Sequence, residues 1–199
     1  MPPPDDATDE TLMQRYAAGD ARAFETLYDR HGLRLWRYIF RSIGDVATAD
    51  ELAQDVWLRV ARNAARYRPL AGDAGQPVAR FTTWLFTVAR HRVVDHVRAA
   101  RPTVSLDEAV DDAHTLADTL AAPSGFGPVR RIENRQQARQ LLAALEQLPA
   151  VQRDSFLLQA EGEMSVAEIA AATGVGIETV RSRLRYARAA LRRTLENMA

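Results

Sequence analysis

Six arginines and no acidic residue fall within thirteen positions, Arg181 to Arg193. A guanidinium fork suits phosphate oxygens and guanine edges, so this chemistry is recognition of a polyanion rather than bond making. Arg181, Arg185, Arg188 and Arg192 recur at helical spacing, and Val180, Leu184, Ala187 and Leu191 recur on the other side. The pattern predicts a helix from about Ile177, packed on one face and cationic on the other, which fits a DNA major groove. A solvated basic helix is the plainer alternative, and the residues in front of it argue against that. Ser165 with Glu168 three positions on is a capping box, so a short helix should start at Val166. Ile169 and the alanines supply its buried face, and Gly174 is its natural stop. A short capped helix, a glycine turn and a cationic helix together read as a helix-turn-helix.

A second basic stretch runs from Arg80 to Arg101, with Arg90, Arg92 and Arg98 between and Asp95 as its one acid. Phe81, Trp84 and Phe86 are interleaved with these arginines. Aromatic platforms beside cations suit unstacked single-stranded bases. The same aromatics serve equally as core, the favoured reading for Trp84 and Leu85, whereas phosphate contact is favoured for the arginines. Asp95 is placed to brace Arg92 or Arg98 along the helix. A third stretch, Asp50-Glu51-Leu52-Ala53-Gln54-Asp55-Val56-Trp57-Leu58, opens another helix. Carboxylates beside large apolar residues make a protein-binding patch, and acids at a helix start are also favoured by the helix dipole alone. Both readings stand on the residues alone.

The elements that would position these residues are all helical. Residues 1–10 read as a disordered N-terminal segment, at whose end Asp9 is placed to cap the first helix. Thr11 to Ala18 is a short amphipathic segment ended by Gly19-Asp20. Ala21 to Ile43, Thr48 to Tyr67 and Phe81 to Arg98 follow, separated by Gly44-Asp45 and by a Gly- and Pro-rich loop from Pro69 to Pro77. Residues 11–101 form one small domain. Residues 102–127 hold five acids and no base, lack any sustained period and read as an acidic flexible linker. Residues 128–199 form a second domain: one helix to about Leu148, one from Ala150 to Ala160, then the helix-turn-helix. The fold class is all-α, two small helical domains on an acidic tether.

Composition narrows the function. The chain has 199 residues, with 26 basic and 26 acidic side chains and a formal net charge of zero. Every basic residue is arginine, and there is no cysteine, which excludes disulfides and thiolate metal sites. His31, His91, His96 and His114 are scattered, so no metal site is expected. No apolar run is long enough for a membrane span, and the start, Met-Pro-Pro-Pro-Asp-Asp, lacks the basic and apolar parts of a signal peptide. A cytoplasmic protein is the expectation. No phosphate loop, nucleophile elbow or paired-histidine motif is present, so no catalytic residue and no cofactor are assigned.

Four stretches in order now carry a likeness. Leu12 to Tyr28, with Gly19-Asp20 and Phe24 inside it, resembles the opening of sigma domain two. Ala49 to Val60 resembles the segment that grips RNA polymerase. Phe81 to Arg98 resembles the promoter-melting and minus-ten segment. Met164 to Arg193, with Thr179-Val180-Arg181-Ser182-Arg183-Leu184 as signature, resembles the helix-turn-helix of sigma domain four. The chain thus resembles a two-domain bacterial RNA polymerase sigma factor of the extracytoplasmic-function (ECF) group, over nearly everything from Thr11 to Arg193.

The resemblance implies the following roles. Asp50, Glu51, Gln54, Asp55, Trp57 and Leu58 would dock on the β′ coiled coil of core RNA polymerase, whose β flap is a further expected partner. The loop from Arg66 through Arg68 to Arg80 would capture a flipped base of the non-template strand. Arg90, His91, Arg92 and Arg98 would hold that strand and the upstream duplex. Glu178, Thr179, Arg181, Ser182, Arg185 and Arg188 would read the minus-thirty-five element. The acidic linker would thread the basic channel of the polymerase. The protein would act as a monomer on promoter DNA, under an anti-sigma factor, without inserting in a membrane. Two positions depart from the family pattern: His91 stands where Asn is frequent, and Gly176 where the turn often has Pro.

Two other functions compete. A stand-alone helix-turn-helix regulator would usually need a dimer to span two half-sites, and residues 11–101 would go unused. An RNA- or nucleotide-modifying enzyme with an appended DNA-binding domain would need an acid/base pair or phosphate loop that the sequence lacks.

Overall fold

The computed structural model describes residues 7–67, 80–100 and 140–196, and among these every regular element is a helix. In chain order they are α1 (Asp9–Ala17), α2 (Ala21–Ile43), α3 (Val46–Asn63), a 3₁₀ turn (Ala64–Arg66), α4 (Phe81–Ala99), α5 (residues 140–146), α6 (Ala150–Ala160), α7 (Val166–Thr173) and α8 (Ile177–Glu196). The linker 102–127, the loop 69–77 and the start of the helix expected from Pro128 lie outside the described residues.

Local chemistry sets the boundaries. Thr8, not Asp9, caps α1, its hydroxyl accepting from the Thr11 N–H at 3.2 Å. Asp9 is instead the first helical residue and turns toward α2, where Arg30 and His31 Nε2 hold its carboxylate at 2.8 and 2.7 Å. Burial by itself would raise the Asp9 pKa, but His31 and Arg30 together outweigh it and hold the carboxyl below its ordinary range. Asp20 caps α2 and also accepts two hydrogen bonds from Arg15, at 3.0 and 2.7 Å, which fixes the α1–α2 corner. Gly44 ends α2 at φ 87°, a left-handed conformation that costs glycine little. Asp45 then caps α3, which therefore starts two residues before the expected Thr48. At its far end α3 gives way to the 3₁₀ turn after Asn63, short of the expected Tyr67.

The first turn of α4 has no cap of its own. Glu10 of α1 supplies one, accepting from the Phe81 N–H at 2.8 Å. A carboxylate there also meets the positive end of the helix dipole. In the second half, Ser165 and Glu168 form the full capping box of α7, and Gly174 closes that helix at φ 70°.

The core of the first four helices gathers Leu12, Leu27, Leu35, Ile39, Leu52, Val56, Val60, Phe81 and Leu85. That of the last four gathers Leu145, Leu157, Leu158, Ile169, Val180, Leu184 and Leu191. The two cores are continuous. α2 packs on α6, and a Cβ added at Gly162 would lie 3.0 Å from the Phe86 ring. The two helical units are folded onto each other.

Candidate nucleic-acid and protein interfaces

α8 presents its arginines as the spacing requires. Val180, Leu184, Ala187 and Leu191 are buried, which turns Arg181, Arg185, Arg188 and Arg192 outward. Arg181 donates to Glu178 at 2.5 Å, one turn back. Arg185 lies 5.0 Å over the Tyr186 ring, a cation–π contact that orients the guanidinium. Arg188 donates to Gln159 of α6 at 2.5 Å. With Gln159, Val166 and Leu184 these arginines line a groove of about 460 Å³ between α8 and its neighbours. Glu178 and Thr179 are exposed at the helix start, and Ser182 is half-buried.

The acidic stretch of α3 divides between surface and core. Asp50, Glu51, Gln54 and Leu58 are exposed, with Leu58 at 43% exposure. Trp57 does not: it is 6% exposed, set edge-on to Phe24 at 5.6 Å and tilted against Tyr28 at 5.1 Å. Trp57, expected as a docking contact, thus lies beneath the exposed residues of this stretch in the free chain. Its indole shapes the patch from beneath, because its place on α3 faces the apolar side of α2. Asp50 is steered by the Trp36 indole N–H, which donates to it at 2.6 Å, and Asp55 accepts from Arg92 at 2.5 Å.

α4 departs most from expectation. Phe81, Leu85 and Phe86 are fully buried and belong to the core, the reading favoured for Leu85, whereas Trp84 is only half-buried beside Tyr67. Arg92 is braced by Asp55 of α3, not by Asp95. His91 and Arg98 are exposed, as is Arg66 in the 3₁₀ turn, and Arg68 lies outside the described residues. Arg90 faces the second unit: Nε donates to Asp154 at 2.8 Å and Nη1 to the Ala172 carbonyl at 3.1 Å. Arg80 likewise donates to the Glu163 carbonyl and to Glu168, at 2.8 and 3.3 Å.

Around these lies a set of residues that the sequence patterns did not single out. Glu161 is 4% exposed and is held by Arg37 at 3.0 Å and Arg41 at 2.5 Å. Buried charge is tolerable only when so paired. Burial lowers the Arg41 pKa, and the Glu161 carboxylate opposes that shift. Burial and the neighbouring Asp154, which accepts from its hydroxyl at 3.0 Å, push the Tyr38 pKa well above the usual range. Thr83 donates to the other oxygen of Glu168. The available signal was the recurrence of Arg34, Arg37 and Arg41 along one side of α2.

Among the described residues, no cluster of His, Asp or Glu could hold a metal ion, and no helix is long and apolar enough to cross a membrane. Comparison with known proteins agrees with the geometry. Residues 27–103 match Sigma-70 region 2 and residues 138–191 match Sigma-70 region 4. The chain is 34% identical to the ECF RNA polymerase sigma factor SigL of Mycobacterium tuberculosis, over 92% of this chain and 94% of that protein. It is 30% identical to the ECF RNA polymerase sigma factor SigK of Mycolicibacterium vanbaalenii, over 94% and 88% respectively. In fold it is similar to CnrH in complex with the cytosolic domain of CnrY, with TM-score 0.60, 24% identity and coverage of 96% of this chain and 99% of that one. It is also similar to RpoE of Bartonella quintana in complex with the anti-sigma factor NepR, with TM-score 0.60, 19% identity and coverage of 88% and 98%. A family match at each end and curated relatives spanning nearly the whole chain place it: this protein belongs to the ECF family of RNA polymerase sigma factors.

Proposed function

We propose that this sigma factor works through two surfaces that divide along its two helical units. Residues 11–101 dock on core RNA polymerase and hold the minus-ten region, and residues 128–199 read the minus-thirty-five element. The observation that carries this reading is α8, whose buried apolar side leaves Arg181, Arg185, Arg188 and Arg192 on one outward face behind a capped α7. That geometry suits phosphates and base edges in a major groove.

On α3, Asp50, Glu51, Gln54 and Leu58 form the polymerase contact. Trp36 orients Asp50, Arg92 orients Asp55, and Trp57 supports the patch from below. His91, Arg98, Arg66 and Arg68 address the minus-ten region, and Glu178, Thr179 and Ser182 join the arginines of α8. The protein contributes binding and strand opening rather than catalysis; phosphodiester chemistry belongs to the polymerase. It acts as a cytoplasmic monomer. Both solved relatives are complexes, one with the cytosolic domain of CnrY and one with an anti-sigma factor, and an anti-sigma partner is proposed here by that likeness.

Run-off transcription tests the whole reading: purified core polymerase, with and without this protein, on a pool of genomic fragments from its host. New transcripts sharing an upstream motif are expected. No transcripts and no co-elution with core polymerase would overturn it in favour of a stand-alone regulator.

A further inference from the structure

α4 does not cap its own start. Its N-cap position is Arg80, whose side chain makes no capping hydrogen bond. The Phe81 N–H is satisfied from another helix, by Glu10 Oε1 of α1 at 2.8 Å. The neighbouring carboxylate acts on the ring side of the same residue. Asp9 holds His31 Nε2 at 2.7 Å, and the His31 ring is tilted against that of Phe81 at 5.7 Å. Phe81 is fully buried and carries the contact onward, edge-on to Tyr67 at 6.1 Å and tilted against Trp84 at 6.0 Å. Tyr67 follows directly on the 3₁₀ turn, and its ring lies 5.2 Å from that of Trp84. Burial, and after it the charges of Glu10 and Asp9, raise the Tyr67 pKa to about 12, so this hydroxyl lies in the field of both carboxylates.

Two adjacent acids of α1 therefore fix two things: where the backbone of α4 begins, and how that start sits against the 3₁₀ turn. Both sides of this joint carry exposed residues proposed to address the minus-ten region. Arg66 is the last residue of the 3₁₀ turn, and His91 and Arg98 lie further along α4. An N–H left without an acceptor at a part-buried helix start is costly, and an uncapped first turn frays. We propose that Glu10 is a positioning residue for promoter opening: it sets the first turn of α4, and so the spacing between Arg66 and the residues His91 and Arg98 that receive the melted strand. Glu10 acts through these residues and not on DNA itself. This rests on the reading that they hold the minus-ten region, and adds to it a residue of α1. What the site requires is an acceptor, so glutamine, whose carbonyl reaches as far, should serve where alanine does not.

The test uses holoenzyme, assembled from core polymerase and the full chain, on a promoter obtained by run-off transcription. Opening is followed by the fluorescence of 2-aminopurine placed in the minus-ten non-template strand. Glu10→Ala should slow opening of the bound promoter about tenfold, on the scale of a lost helix cap. Glu10→Gln should recover most of that rate. Affinity for core polymerase, and for a duplex carrying only the minus-thirty-five element, should stay unchanged in both. Asp45→Ala removes the cap of α3 without touching Phe81 and serves as the stability control. A Glu10→Ala protein that opens promoters at the wild-type rate would overturn the proposal. So would a defect that Asp45→Ala matches at an equal loss of melting temperature, or one that Glu10→Gln shares in full. Arg98→Gln separates the two levels. If it opens promoters normally, the α4 reading fails; if it is slow while Glu10→Ala is not, only the role of Glu10 falls.

Discussion

Glu168 joins a local and a long-range task in one carboxylate. It accepts from the Ser165 N–H at 2.7 Å to complete the capping box, and it takes Thr83 and Arg80 from the other unit. Partial burial pushes its pKa up, but the hydrogen bonds from Thr83, Ser165 and Arg80 outweigh that and bring it down from 4.5 to about 2. A carboxyl with a depressed folded pKa stabilises the fold fully above its ordinary value, and that contribution is lost as pH falls toward the folded value. The wild type should therefore melt higher than Glu168→Gln at neutral pH, and the gap should narrow as pH falls from 4.5 toward 2. Thermal melts of both proteins across that window check it; a gap independent of pH would mean that charge is not what Glu168 contributes. Capping at Ser165 was legible in the sequence because it involves neighbours three apart. The partnership with Thr83 was not, because nothing local distinguishes a threonine that reaches another unit from one on an ordinary helix surface.

At the scale of elements, legibility followed the range of the signal. α2 ran from Ala21 to Ile43 as expected because Asp20 and Gly44 mark its ends in the adjacent sequence. α7 and α8 began where the capping box and the apolar spacing put them. The start of α4 is capped by Glu10, and Arg92 is turned to Asp55, both through contacts that only the packing of α1, α3 and α4 creates. Aromatic spacing on α4 was ambiguous for the same reason, since Phe86 packs on Tyr38 of α2 and on the turn at Gly162, both distant in sequence. The exposed face of α8 is an element whose role can be tested apart from the rest. Arg181→Ala or Arg185→Ala should weaken minus-thirty-five recognition by about 1–3 kcal/mol if the side chain makes a bidentate base contact. Binding to core polymerase should be unchanged, because the proposed docking residues lie on α3. Footprinting with holoenzyme, together with co-elution with core, checks both halves; a folded variant that loses core binding would contradict the division of labour.

In the whole molecule, the two units share one core, but much of their contact is ionic. Trp36, Trp57 and Trp84 are the three tryptophans of the chain, and all lie in α2, α3 and α4. Fluorescence therefore reports on the first unit alone, whereas far-UV circular dichroism reports on both. Docked units that stabilise each other should unfold together, so the two signals should share one denaturant midpoint at low salt. A short helical unit buries little surface by itself and is marginal without a neighbour. In Asp154→Asn/Glu161→Gln the coupling is weakened, so part of the helical signal should be lost before the tryptophan signal moves. Urea is the denaturant of choice, since guanidinium chloride would screen the pairs under test. Midpoints that stay coincident in the variant would assign the coupling to the apolar contact of Phe86 against the turn at Gly162 rather than to the arginines. Separation confined to the variant would assign it to the ion pairs between the two units.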